Sequence, residues 1–156
     1  MSAFNPDTFL TMETADALPS KYTPVPRAEY RAFVDDVEPR TVKTKNGDSP
    51  MLTVTFDIRD ADDVKASIGL KPEQKLTVRQ DYWLDLNEQG GFDIGPNKNV
   101  KLGILREALN QNKPGQPWSP AMMKGQGPVL LQVDIEPDAK DPMVERNVIK
   151  RLAKAL

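Results

Sequence analysis

Basic side chains grouped around a turn are the first sign of chemistry in this sequence. Arg40, Lys43 and Lys45 lie in the segment PRTVKTKNG, which ends in an Asn-Gly pair suited to a tight hairpin turn. In a loop beside a nucleic-acid groove, these cations would contact phosphates. The alternative is an ordinary solvated hairpin, in which Lys and Arg need no ligand.

Two segments of alternating polarity carry a second group of candidate contacts. In MLTVTFDIRD and KLTVRQDYWLDL, the alternate positions that point away from the core include Arg59, Arg79 and Trp83. An exposed aromatic residue beside Arg on a sheet is a platform for unpaired bases, and each stacked base contributes about 1–3 kcal/mol. The alternative is that Trp83 is covered by the N-terminal segment or by Trp118.

The C-terminal segment RNVIKRLAKAL carries four cations and no acid. Arg146, Lys150 and Arg151 would add a basic edge to a protein whose net charge is −2. If the segment is a strand, Arg146 and Lys150 share one face. The alternative is a solvated, frayed terminus. Trp118, in a Pro- and Gly-rich loop, is a second candidate platform for bases, although its position favours sealing the rim of the fold.

Residue types that support catalysis are scarce. The chain of 156 residues has no cysteine and no histidine, which removes thiolate metal sites and the commonest general base. Aspartates cluster in DIRDADD, where they could hold Mg²⁺ for phosphodiester cleavage, but their spacing is not characteristic and solvation explains them. The sequence therefore predicts a protein that is not an enzyme and binds no cofactor or metal.

Strands are the elements predicted to position these residues. The clearest is MLTVTFDIRD, in which the inward-facing residues are Leu52, Val54, Phe56 and Ile58. A bent strand interrupted at Pro39 precedes it, and KLTVRQDYWLDL follows it. PVLLQVDIEP and ERNVIKRLAKAL supply the fourth and fifth strands.

One segment, NVKLGILREALNQNKPGQPWSP, has helical periodicity. Leu102, Leu105 and Leu109 fall on one face, which Ile104 and Ala108 widen. The order of three strands, a helix and two strands predicts a mainly β protein, a five-stranded OB-fold barrel with one α-helix between strands 3 and 4. In this fold the helix plugs the end of the barrel. A β-sandwich with an inserted helix is the alternative.

Residues 1–28 are predicted to form an extended N-terminal arm, and residues 29–156 the OB-fold domain. The arm has four prolines and sparse apolar residues, so we expect at most one helical turn, between Pro6 and Met12. A disordered leader is the alternative. The N-terminal segment lacks the features of a signal peptide, and no apolar run of the sequence reaches the roughly 18 residues of a membrane span. Together with the absence of cysteine, this predicts an intracellular protein.

Three blocks carry a resemblance that spans most of the chain. They are FNPDTFL followed by YTPVPRAEYRAFV, then NKNVKLGILREALNQNKPGQPW, and finally MKGQGPVLLQVDIEPDAKDPMVERNVIKRL. Together they resemble the leader and first strand, the helix, and the last two strands of bacteriophage single-stranded DNA-binding proteins with an OB-fold. The resemblance implies a phage protein that protects unpaired DNA during replication or recombination in the host cytoplasm. It assigns no contact residues.

One departure concerns partners. Bacterial single-stranded DNA-binding proteins recruit partners through an acidic C-terminal tail, whereas this chain ends in KRLAKAL. Recruitment by such a tail is therefore not expected, although phage or host replication and recombination proteins remain expected partners. An unpaired strand edge would support a homodimer. The alternative function is a structural or adaptor module that takes part in phage assembly or protein–protein interaction without binding DNA.

Overall fold

The computed structural model describes residues 3–155, and its central feature is one antiparallel sheet of five strands. The strands are β1 (Ala28–Thr44), β2 (Gly47–Ile58), β3 (Leu76–Trp83), β4 (Val129–Pro137) and β5 (Glu145–Lys154). Their order across the sheet is β3-β2-β1-β4-β5. The prediction of a mainly β protein with five strands is confirmed.

The two edge strands, β3 and β5, approach each other without pairing. Some of their Cα atoms lie within 8 Å of one another, yet no ladder joins the two strands within residues 3–155. The sheet is therefore curved, because its two edges meet, but it is not closed. The assignment of the curved sheet to an OB-fold stays a prediction.

The described part of the chain has a 3-10 helix (Pro120–Met123) and three α-helices, the first of which matches the helical turn expected between Pro6 and Met12. The α-helices are α1 (Pro6–Phe9), α2 (Asp62–Ser67) and α3 (Val100–Ala108). The first two are short: the Asn5 side chain caps α1, and two aspartates favour the first turn of α2. Along the chain, α3 lies between β3 and β4, but in space it lies against β5 instead of plugging a closed barrel.

The core lies between α3 and the inner face of the sheet. As the alternation predicts, the even-numbered residues of β2 point into it. The largest fully buried side chains are Phe56, Ile58, Leu76, Leu105, Met123 and Leu131. The predicted apolar stripe of α3 is narrower than expected, because Ile104 is 46% exposed and only Leu102, Leu105 and Ala108 are buried.

The hairpin of β1 and β2 is longer than the sequence indicated. β1 runs through Pro39, where an interruption was predicted, because β4 pairs with β1 only as far as Ala32 and leaves one edge of β1 open beyond it. An open edge tolerates a residue without an N–H donor. The last β3 partner is Trp83, opposite Met51, so residues 41–50 extend beyond the three-stranded part of the sheet.

The N-terminal arm is attached to the domain at its end. The Asn147 side chain in β5 accepts a hydrogen bond from the Val25 N–H at 2.9 Å and donates one to the Val25 carbonyl at 2.8 Å. Val25 is buried, and the Tyr30 hydroxyl donates to the Pro26 carbonyl at 2.6 Å. Residues 3–23 are exposed throughout. The helices within residues 3–155 are all too short to cross a membrane.

Replacing Leu105 with Ala tests the position of α3 on the core. Because Leu105 is fully buried, Leu105→Ala is expected to lower the free energy of unfolding by about 2–5 kcal/mol. The neighbouring Ile104→Ala removes an exposed side chain and should cost about 0.5 kcal/mol or less. Urea denaturation measures both, and equal losses would contradict the orientation of the helix.

Candidate nucleic-acid interface

The face of β1–β3 that points away from the core brings several predicted contacts together, and we call it the polar face. The strand register places its residues in rows, in which directly opposite Cβ atoms lie about 4.5–5.5 Å apart. Three successive rows are Arg40–Met51–Trp83, Glu38–Thr53–Asp81 and Asp36–Thr55–Arg79. Trp83, Arg40 and Arg79 therefore share one surface.

A groove of about 440 Å³ lies between the polar face and β5. It is lined by Arg40, Thr53, Thr77, Val78, Arg79, Asp81, Arg146 and Asn147. Three arginines, each from a different strand, thus face one groove that contains a single carboxylate. We call it the arginine groove. It collects three of the predicted contacts, which are far apart in the sequence.

A chain of hydrogen bonds crosses the groove and orients two of its charged groups. Arg40 Nη1 donates to the Thr53 hydroxyl at 3.4 Å, and that hydroxyl donates to Asp81 Oδ1 at 2.7 Å. Thr53 is only 4% exposed, so the position of its hydroxyl is fixed by packing. Arg40 and Asp81 are therefore held apart by a neutral group instead of forming a direct ion pair.

The other two arginines of the groove, Arg79 and Arg146, have no carboxylate within salt-bridge distance in the part of the chain that the structure describes. The field of Arg146 reaches the loop between β4 and β5, where the backbone N–H of Lys140 is the main cause of a lowered pKa of Asp138 and Arg146 adds to it. These guanidinium groups are therefore available to an anionic ligand.

Trp83 lies beside the arginine groove with much of its ring accessible. Its indole is 56% exposed, whereas Met51, directly opposite it on β2, is buried. Neither the arm, whose residues 3–23 are all exposed, nor Trp118 buries Trp83, so the alternative of a covered ring is not supported. The exposed ring is available for stacking next to the cations.

Two acidic residues on or beside the polar face, Asp35 and Asp36, have cationic partners. Lys124 Nζ lies 3.2 Å from Asp36 Oδ1, and this contact lowers the pKa of Asp36. Lys75 Nζ lies 2.6 Å from Asp35 Oδ1, and the hydrogen bond raises the pKa of Lys75. These two pairs reduce the negative potential near the groove.

Two other predicted contacts are occupied by neighbouring groups. Arg59 Nε lies 3.4 Å from Asp57 Oδ2, and its guanidinium carbon is 4.0 Å from the centroid of the Phe33 ring. Lys150 forms a salt bridge with Glu136, which raises the pKa of Lys150. Neither residue lines the arginine groove.

The remaining predicted cations lie elsewhere on the surface. Lys43 and Lys45 are exposed on the protruding end of the β1–β2 hairpin, outside the groove. Arg151 lines a second cavity, together with Lys150. The structure therefore divides the predicted set into a central group beside Trp83 and separate groups at the hairpin and on β5.

Trp118 is held in a cluster of its own. The Arg106 guanidinium carbon lies 3.9 Å from its ring centroid, and the indole N–H donates to Gln111 Oε1 at 2.9 Å. Phe92 packs at 5.8 Å between ring centroids, and burial lowers the pKa of Arg106. Because Arg106 covers one face of the ring, these contacts favour the structural role over base stacking.

Five residues of the groove were not among the predicted contacts, namely Thr53, Thr77, Val78, Asp81 and Asn147. Asp81 is an acid and was not expected beside phosphate, although its parity in β3 already placed it between Arg79 and Trp83 on the polar face. Asn147 was missed because nothing in its local sequence indicates that it lines the groove while binding the arm backbone. Only the curvature of the sheet brings it there.

No protein-family model and no curated protein matches this chain. The resemblance to phage single-stranded DNA-binding proteins therefore rests on the sequence blocks alone. Among residues 3–155, no group of three or more acidic side chains is placed to hold a metal ion.

Single-tryptophan variants test the different surroundings of the two indoles. Acrylamide should quench Trp118→Phe, which retains only the exposed Trp83, more strongly than Trp83→Phe, which retains the stacked Trp118. Stern–Volmer plots of the folded proteins give the comparison, and both variants in urea supply the control for full exposure. Equal quenching of the two folded variants would show that the environments are not as described.

Proposed function

We propose that this protein is a non-catalytic single-stranded DNA-binding protein of a bacteriophage, which protects unpaired DNA during replication or recombination in the host cytoplasm. The observation that carries the proposal is the convergence of Arg40, Arg79 and Arg146 on one groove beside the exposed ring of Trp83. The sequence blocks that resemble phage single-stranded DNA-binding proteins support the same conclusion.

The three arginines supply the contacts to the DNA backbone. A guanidinium group binds a phosphate through two parallel hydrogen bonds and keeps its charge at any physiological pH. Arg79 and Arg146 have no salt bridge to break within residues 3–155, so a phosphate would not have to displace a carboxylate from them. Neutralising phosphates also releases the counterions of the DNA, which is favourable at low salt.

Trp83 supplies the contact to the bases. In a duplex the base faces are covered by stacking, whereas an unpaired base can turn out of the stack of its neighbours and pack on an exposed indole. Every base has such a face, so binding through Trp83 would tolerate any sequence. The proposed selectivity for single strands comes from this contact, since phosphate contacts alone do not require unpaired bases.

The position of the groove supports the proposal by comparison with an OB-fold. OB-folds bind along the face of their second and third strands, between the loop joining the first two strands and the loop joining the last two. Here the polar face includes β2 and β3, and the β1–β2 hairpin lies at one side. Arg146 is the second residue of β5 and so lies next to the β4–β5 loop. Lys43 and Lys45 would extend the path of the backbone along the hairpin.

Replacing the groove arginines should weaken DNA binding and its dependence on salt. Arg79→Ala and Arg146→Ala are each expected to lower affinity for a fluorescent oligo-dT and to reduce the slope of log K against log salt by about 0.7 for each phosphate that the variant no longer neutralises. Lys113→Ala, which removes an exposed cation outside the groove, is the control and should leave the slope unchanged. Unchanged slopes for both arginine variants would refute the groove as the site.

Replacing Trp83 should remove the stacking contribution. Trp83→Ala is expected to weaken oligo-dT binding by a factor of roughly 5 to 150, since a stacked base contributes about 1–3 kcal/mol. Trp118→Phe, the matched control, should retain affinity and the quenching of fluorescence by DNA. An absence of quenching in the wild-type protein, with no gel shift at low salt, would remove the DNA-binding proposal.

A structural or adaptor role is the second candidate function. The exposed apolar residues of the N-terminal arm favour it, because they form no part of the core of their own domain. Copurification with other phage proteins, combined with no affinity for oligo-dT, would select this role over DNA binding.

A further inference from the structure

The N-terminal arm presents an apolar surface that its own domain leaves uncovered. Its large side chains are between 54% and 101% exposed, namely Phe4, Phe9, Leu10, Met12, Leu18 and Tyr22. The Phe4 and Phe9 rings pack on each other edge to face, with centroids 5.2 Å apart. Apolar groups concentrated in this way on a surface mark an interaction site.

The same arm is acidic. Residues 3–20 include Asp7, Glu13 and Asp16 and contain no cation; the first is Lys21. The arm therefore has the character of an acidic, apolar peptide, and a surface that binds it should combine cations with apolar side chains.

A second cavity of the domain has this combination. It measures about 370 Å³ and lies between β3, β5 and α3. Its lining consists of Gln80, Tyr82, Lys101, Ile104, Ile149, Lys150, Arg151 and Leu152, which include three cations and no acid. Gln80 and Tyr82 are on the opposite face of β3 from Arg79 and Asp81, so this cavity is separate from the arginine groove. We call it the helix-side cavity.

Ile104 and two cations of the helix-side cavity, Lys101 and Arg151, are the groups that a ligand could cover or pair with. Ile104 belongs to the apolar periodicity of α3, yet it is 46% exposed at the cavity instead of joining the core. Within residues 3–155, Lys101 and Arg151 form no salt bridge, whereas Lys150 is paired with Glu136. An apolar, acidic ligand would cover Ile104 and pair with the two free cations.

We propose that the helix-side cavity of one copy of this protein binds the N-terminal arm of a second copy. The apolar residues around α1 cover Ile104 and its apolar neighbours, and the arm carboxylates pair with Lys101 and Arg151. Residues 3–23 of the arm are exposed on their own domain, which favours an acceptor on another copy. Fully extended, the chain from Met12 to the anchor at Val25 can reach at most about 45 Å, which is enough to reach a neighbour.

The contact joins two different surfaces, so donor and acceptor functions can be separated by mutation. In the donor variant, Phe9→Ser and Leu10→Ser remove the apolar end of the arm. In the acceptor variant, Lys101→Glu and Ile104→Glu reverse a charge and remove an apolar surface in the cavity. All four residues are exposed, so neither pair of changes removes core packing.

Sedimentation equilibrium of the full-length proteins tests the proposal without DNA. The wild type is expected to self-associate as its concentration rises, and more weakly at high salt because the pairing is partly ionic. The donor and acceptor variants alone should each associate at least about tenfold more weakly. An equimolar mixture should form a complex of one copy of each, since the acceptor variant still donates an intact arm to the intact cavity of the donor variant.

Matched changes elsewhere serve as the control. Ile94→Ser with Lys113→Glu replaces an exposed apolar residue and an exposed cation outside the helix-side cavity, and should leave self-association unchanged. The proposal is overturned if the wild type stays monomeric at all concentrations, as it would if the arm bound its own cavity or another protein. It is also overturned if the mixture of variants fails to associate, or if the control weakens association as much as they do.

Discussion

The approach of the two unpaired edge strands, β3 and β5, is the constraint on which both candidate sites depend. β1 produces it by pairing with β4 at its start and with β2 along the rest of its length, with a bulge between Val34 and Asp36. The segment before β4 holds this bend, since the Gly125 N–H donates to the Val34 carbonyl at 2.7 Å. Gly127 passes so close that a Cβ would lie 2.9 Å from the Ala32 carbonyl oxygen, and its φ of +148° also favours glycine.

The alternation of the strands was sufficient to predict one half of the site, and the curvature of the sheet supplied the other. Parity alone placed Arg79 and Trp83 on one exposed face, because side chains alternate whatever the sheet does. The meeting of Arg146 with Arg40 and Arg79 required the edges to approach, and no local pattern encodes that. In the same way, Ile104 matches the helical period of α3 but faces a cavity. Periodicity shows which residues share one face of a helix, but it does not show how much of that face the neighbouring strand covers.

Although the net charge is −2, the ion pairs are unevenly distributed over the surface. Lys75, Lys124, Lys150 and Arg59 each have a carboxylate partner, whereas the groove arginines are without one in the described residues. Exposed pairs of this kind contribute only about 0–1 kcal/mol to stability. Their larger effect is on the potential, because they offset some of the acids near the polar face, while the lining of the arginine groove holds three arginines and one aspartate.

The two cavities are formed by opposite faces of β3 together with β5, and this shared boundary links them. No ladder fixes the distance between these strands within residues 3–155, so the contents of each cavity bear on their separation. An arm bound between β5 and α3 would favour a particular distance between β3 and β5. A strand of DNA in the arginine groove would also favour a particular distance between them. Coupling between two binding sites is reciprocal. Where both ligands prefer the same separation, self-association through the arm and binding of DNA would therefore strengthen each other without any direct contact between arm and DNA.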